Sequence, residues 1–182
     1  MEQSPEPKRR NAAATRTRIL AAAFEAFAEH GYAKAGIREI AKSAGVASSL
    51  LVRYFGTKAA LFEEALTHGI YAHSLFTQNR ENFGEQMARM IANTDDIKLT
   101  SMMVLAIADP ESKAIAIKVS RRHVLEPLSE WLGPPRAYAR AQQMVTLFTG
   151  IVLQMHHLAD TPIQPESIKW IAQTLQDIVD AR

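Results

Sequence analysis

The stretch Ile37-Arg38-Glu39-Ile40-Ala41-Lys42-Ser43-Ala44-Gly45-Val46, continued by Ala47-Ser48-Ser49-Leu50-Leu51-Val52-Arg53-Tyr54-Phe55-Gly56-Thr57-Lys58, decides the fold. Ile37, Ile40, Ala41 and Ala44 recur at helical spacing, and Leu50, Leu51, Tyr54 and Phe55 form a second short helical group. Gly45 lies between them, the residue type that enters left-handed backbone without steric cost. Two short helices about a glycine turn make the helix-turn-helix pattern. Gly56-Thr57 punctuates again, and Thr57 is placed to cap a longer helix from Lys58 to about Gln78.

Working outward, Ile19, Ala23, Phe27 and Leu20, Phe24, Ala28 make one broad apolar face, so a first helix is expected from about Ala13 to His30, stopped by Gly31. Residues 1–11 are rich in Pro and charge without periodicity and read as a disordered basic arm. Downstream, Phe83 to Ala92 is amphipathic, Thr94-Asp95-Asp96 starts a helix reaching about Ala108, and Asp109-Pro110 breaks it. Ser112 to Leu132 is a long helix kinked or broken at Pro127. Gly133-Pro134-Pro135 stops it, and a largely apolar helix runs from Arg136 to about Ala159. A last helix follows Pro165, with Ile168, Ile171, Ala172, Leu175, Ile178 and Val179 in one stripe. No strand-like alternation occurs, so the expected class is all-α with about nine helices.

The 182 residues are 47% apolar and 22% charged, which fits a globular chain of one or two domains. With no cysteine, disulfide frameworks, zinc fingers and a thiolate nucleophile are excluded. The net charge of +2 hides an asymmetry. Residues 1–60 carry ten Lys/Arg against five Asp/Glu, while residues 61–182 carry eleven against fourteen. A basic first third suggests a polyanionic partner. No window is apolar enough to span a membrane and no secretory signal is legible, so the cytoplasm is expected.

Catalytic and metal chemistry find little footing. No nucleophile elbow, phosphate loop or dinucleotide-binding glycine pattern occurs. His123 with Glu126 is the best acid-base pair, at a spacing common on ordinary helices. His156 and His157 are adjacent and point about 100° apart on a helix, so they are not a ligand pair. No enzyme, cofactor or metal is expected.

The major groove of B-DNA accepts one α-helix, and in a helix-turn-helix the second helix enters it while the first braces it. That second helix needs core residues on one side and small or polar readers on the other. Val46, Leu51 and Phe55 can face inward, leaving Ala47, Ser48, Ser49, Leu50, Val52 and Arg53 for solvent or DNA. Arg38 is opposite the apolar side of its helix, and Tyr54 and Lys58 lie where phosphates would pass.

Gly31-Tyr32, Ile37-Arg38-Glu39-Ile40-Ala41, Ala44-Gly45-Val46, Tyr54-Phe55-Gly56-Thr57-Lys58 and Leu61-Phe62, in this order and spacing, resemble the DNA-binding domain of the TetR family of bacterial transcription regulators. The resemblance covers about Ala12 to Ala72. It implies a domain at 12–72 that binds DNA and a helical ligand-binding and dimerisation domain at 73–182. It implies further that Arg38 reaches a base edge, that Ser48, Ser49 and Leu50 begin the reading helix, that Arg53 and Tyr54 touch the backbone, and that Lys58 meets a phosphate at a helix N-terminus. Gly36 and Ala47 stand where the family usually has hydroxyl caps, with Ser48 available to take over in the second case. Val52 stands where it usually has tyrosine. An apolar residue there suits a thymine methyl, so A·T content is expected beneath it.

A homodimer on a pseudo-palindromic double-stranded DNA operator is expected, with Met144, Phe148, Ile151, Met155, Ile168, Ile171, Leu175 and Ile178 pairing across the two-fold. A small apolar or amphipathic ligand is expected among the middle helices, about Phe83 to Ser129, where methionines adapt to varied shapes. The resulting expectation is a repressor released by its ligand. A regulator without an effector, and a helix-turn-helix used for protein contact, are the alternatives.

Overall fold

A computed structural model of the chain describes residues 7–72, 79–92 and 98–181. Among them the order is α1 (Pro7–Lys34), α2 (Ile37–Ser43), α3 (Ser48–Phe55), α4 (Lys58–Ala72), α5 (Phe83–Ala92), α6 (Lys98–Leu105), α7 (Pro110–Ser120), α8 (Glu126–Leu132), α9 (Ala137–Leu153) and α10 (Pro165–Asp180). A π-helical turn at Arg121–Leu125 joins α7 to α8, so the two form one continuous run, and nine helical runs are present among the described residues, with no strand. No described helix is long and apolar enough to cross a membrane.

The sequence punctuation acts where it was read. Gly45 adopts φ 66. Gly45 N–H donates to Lys42 O at 3.0 Å and Val46 N–H to Ala41 O at 2.9 Å, the paired bonds that close a helix C-terminus. Thr57 Oγ1 accepts from Ala60 N–H at 3.1 Å and caps α4. Neither Gly36 nor Ala47 supplies a side-chain cap to α2 or α3. Asp109 does more than break a helix: its carboxylate accepts from the backbone N–H of Glu111 and Ser112 and starts α7.

Three boundaries differ from expectation. The arm expected over residues 1–11 is helical from Pro7, which takes the first-turn position where a proline needs no N–H donor. Gly31, at φ 72 and ψ 169, kinks the end of α1 rather than ending its hydrogen bonding at once. The break expected at Pro127 falls just before it. Proline offers no N–H and crowds the carbonyl four residues back, and the π turn ending at Leu125 widens the backbone there. The helix start read at Thr94-Asp95-Asp96, and the end of the fourth helix beyond Ala72, lie outside the described residues.

Two apolar cores fill the molecule. In the first, Ile19, Phe27, Ile40, Leu51, Phe55, Leu61, Phe62 and Ile70 join Leu99, Met102, Ala106, Ala116 and Val119. In the second, Phe83, Met87 and Ile91 of α5 pack with Leu128, Ala141, Met144, Ile171, Leu175 and Val179. The division does not follow the boundary expected after residue 72, because α6 and α7 finish the core that α1 to α4 begin.

Candidate functional site

Helices α2 and α3 cross on a floor made by α1 and α4. Ile40 and Ala41 of α2 and Leu51 and Phe55 of α3 are buried, and this fixes which sides face out. Arg38, Ala47, Ser49, Val52 and Arg53 are exposed, whereas Ser48, Leu50, Tyr54 and Lys58 are half-buried. Val52 is 50% exposed, an apolar side chain presented to solvent among polar neighbours. Lys42, one helical turn beyond Arg38, is also exposed on α2 and adds a cation that the sequence reading passed over. Its i, i+4 relation to Arg38 was the available signal.

The cations at the edge of this surface are positioned by aromatic rings. Lys58 Nζ lies 4.8 Å from the centroid of Tyr32 and donates to Ala33 O at 3.3 Å. The guanidinium of Arg16 lies 5.3 Å over Phe55 and pairs with Glu64. Tyr54 Oη donates to Ala12 O at 3.4 Å, a long bond that leaves the hydroxyl free to exchange partners. Lys58 begins α4, where unpaired backbone N–H groups favour an anion.

Four polar contacts tie this unit to the rest. Tyr32 Oη donates to Glu111 Oε2 at 2.5 Å, Lys118 Nζ to Glu63 Oε1 at 2.6 Å, and Lys98 Nζ to Glu25 Oε2 at 2.8 Å. Tyr71 Oη and His123 Nδ1 share a bond of 3.0 Å. His123 is thus engaged with α4, not with Glu126. Burial of the Tyr32 phenol, then its bond to Glu111, then the charges of Glu111 and Asp109, push its pKa above the ordinary tyrosine value.

Between the two cores lies a partly open cavity of about 70 Å³. Its wall includes Phe83, Met87, Met103, Met144 and Phe148, with Thr100, Ser120 and Thr149 as its polar groups. It falls among the helices where a ligand was expected, but α9 and α10 also contribute, which the expected range of Phe83 to Ser129 omitted. Met103, Ser120, Val145 and Thr149 also line an open groove of about 640 Å³ beside it.

The structure divides the expected pairing residues by burial. Met144, Ile171 and Leu175 are buried within their own protomer, at 5%, 1% and 1% exposure, so they are not free to meet a partner. Phe148, Ile151, Met155, Ile168 and Ile178 are half-buried against the same core. On α10 the packing of α5 takes up Ile171 and Leu175, while the other five keep part of their surface exposed. Gly84 allows this packing, since a Cβ there would lie 2.0 Å from Ala172 O. The outer side of α9 instead presents Gln142, Gln143, Thr146 and Gly150, with Trp170 exposed on α10. The side chains of His156 and His157 lie outside the described residues.

Comparison with known proteins points one way. The family profile for bacterial regulatory proteins of the tetR family matches residues 19–65, and that for the tetracyclin repressor-like C-terminal domain matches residues 81–179. The HTH-type transcriptional regulator UidR of Escherichia coli K12 is 28% identical over 140 residues, covering 77% of this chain. The aligned part is 63% of that relative's length. A TetR-family transcriptional regulator from Rhodococcus sp. superposes with a TM-score of 0.75 at 14% identity, over 91% of this chain and 98% of that one. A transcriptional regulator from Saccharomonospora viridis, solved in complex with choline, gives 0.65 at 15% identity, over 93% and 97%. At these identities the structural likeness is one of fold.

Proposed function

The chain belongs to the TetR family of bacterial regulatory proteins, and from that premise we propose that it is a cytoplasmic homodimeric repressor released from a pseudo-palindromic operator by a small ligand. The observation that carries the DNA-binding part is the exposed edge of Arg38, Lys42, Ser49, Val52 and Arg53 standing on the buried anchors Leu51 and Phe55. Small and polar side chains there allow close approach to base edges, and the cations around them neutralise phosphates. Val52 meets a thymine methyl. Lys58 exchanges the Ala33 carbonyl for a phosphate, a short swing for a flexible side chain.

Two copies pair through the outer sides of α9 and α10, which puts one reading helix in each half-site. The ligand enters between α6, α7 and α9. Since α4 packs on α7 with Lys118–Glu63 between them, and Tyr71–His123 ties α4 to the π turn that follows α7, a shift of α7 displaces α4 and with it α3. The ligand releases DNA only if it binds the displaced state more tightly, because equal affinity for both moves nothing.

The test is selection of bound duplexes from a random pool, followed by Arg53→Ala and Arg38→Ala. Arg53→Ala weakens all selected sites alike, and Arg38→Ala relaxes preference at one base step by about 1–3 kcal/mol. A pool with no enriched sequence would overturn the DNA-reading assignment.

A further inference from the structure

The cavity between the cores, about 70 Å³, is far smaller than the roughly 300–1,000 Å³ that ordinary ligand sites offer. The open groove next to it has the volume the cavity lacks, about 640 Å³. Its wall is apolar and exposed: Ile107 is 63% accessible, Ile117 61% and Tyr138 44%. An exposed apolar surface of this kind marks a binding site more often than a bare face. The partition between groove and cavity includes Met103, whose unbranched thioether side chain moves aside readily.

The charge of the rim selects what fits. Lys113 and Arg121 line the groove, and no carboxylate lines either space among the described residues. Arg121 is held 3.7 Å from Glu126, whereas Lys113 has no acidic partner among the described residues. Lys113, Ile117 and Ser120 lie on one side of α7, and Ser120 borders the cavity. The run from Ser120 to Lys113 is about 10 Å along the helix at 1.5 Å per residue.

We propose that groove and cavity form one site for a linear amphiphile with an anionic head, such as a medium-chain carboxylate. Its tail passes Met103 into the cavity, and its head pairs with Lys113. This rests on the ligand-released reading above and assigns that ligand its chemical class. The rim is cationic, so quaternary ammonium ligands of the choline type are disfavoured here.

The 182-residue chain is titrated by calorimetry with dodecanoate and dodecyltrimethylammonium below their micelle concentrations and with dodecanol below its solubility limit. Dodecanoate binds tightest and the ammonium weakest. Lys113→Glu, a surface change that leaves both cores intact, lowers dodecanoate affinity roughly tenfold, spares dodecanol and raises that of the ammonium. Equal affinity for the three, or a Lys113→Glu protein indistinguishable from the parent, overturns the head-group assignment. Absence of binding by all three overturns the site. Ile117→Arg abolishes dodecanoate binding without altering the oligomeric state, and dissociation of the dimer instead would mean that a second copy fills the groove. DNA affinity is measured separately. Dodecanoate that binds in a Lys113-dependent way without releasing DNA supports this site and overturns the release mechanism alone.

Discussion

Tyr32 follows the glycine kink of α1 and joins the two halves of the molecule by one phenol. Its ring stacks on Phe27, meets Phe62 edge to face and carries Lys58 on one face, while its hydroxyl donates to Glu111 of α7. The raised pKa sets a sign. The folded protein keeps this proton to higher pH than the unfolded chain, so the contribution to stability is complete below about pH 10 and is lost as pH rises beyond it. Tyr32→Phe is expected to cost about 1 kcal/mol at neutral pH. The gap to the parent in urea unfolding narrows above about pH 10, and a gap that stays constant to higher pH would contradict the assignment.

Arg140 is the other side chain with an outsized role, at 5% exposure. Its guanidinium donates to carbonyls at two helix ends: Leu132 O at 3.0 Å and Gly133 O after α8, and Ile178 O at 3.2 Å, Val179 O at 3.3 Å and Ala181 O at 3.0 Å at the end of α10. The negative ends of two helix dipoles thus replace a carboxylate partner. Arg140→Met removes the guanidinium donor from Gly133 O, Ile178 O and Ala181 O, while Leu132 O and Val179 O keep Arg80, and is expected to cost about 3 kcal/mol in thermal unfolding. Arg140→Lys gives little rescue, because one ammonium cannot reach acceptors spread across the fork of a guanidinium. Nothing in the sequence marked Arg140, since a buried arginine among carbonyls depends on which helix ends converge.

At the scale of the element, glycines mark where helices approach most closely. A Cβ on Gly69 of α4 would meet the Phe24 ring of α1 at 2.3 Å, and one on Gly84 would meet a backbone carbonyl. A ring can rotate and a helix backbone cannot. Gly84→Ala should therefore destabilise more than Gly69→Ala, both by about 1–3 kcal/mol in denaturant unfolding, and the reverse order would refute the contact assignment. On the outer side of α9 a Cβ on Gly150 would meet nothing. Gly150→Arg is expected to yield a folded monomer by light scattering, and a folded dimer would place the pairing surface elsewhere.

The short elements were legible in residue types. Gly45, Thr57, Asp109 and Pro165 mark turns and starts through backbone rules that operate locally. The π turn was legible only as trouble at Pro127, because the sequence shows the missing donor and not the manner of repair. The apolar stripe of α10 was legible as a stripe, but its partner was not. Ile171 and Leu175 bury against α5 of the same chain, and periodicity says that a face is covered without saying by what.

At the scale of the whole molecule, the helix-turn-helix and the outward side of α2 and α3 were legible in the sequence. The layout of the cores was not, because it depends on contacts between residues far apart in the chain. Since Leu99, Met102, Ala106, Ala116 and Val119 complete the core of α1 to α4, a fragment of residues 7–72 would expose that apolar face. It should unfold or aggregate at a temperature where a fragment of residues 7–120 still shows helical circular dichroism. A cooperatively folded 7–72 fragment would show that α6 and α7 contribute little to that core.

The shared core also bears on how such regulators can be recombined. The main packing of α2 is on α1 and α3, and that of α3 is on α2 and α4. Exchanging residues 37–58 alone, keeping Ile40, Ala41, Leu51 and Phe55 as the seam, is therefore expected to transfer a base preference without disturbing the shared core. A transplant cut after Ala72 would separate α1 and α4 from the faces of α6 and α7 shaped to them. The natural joint for swapping specificities lies inside the DNA-binding unit, not at its edge.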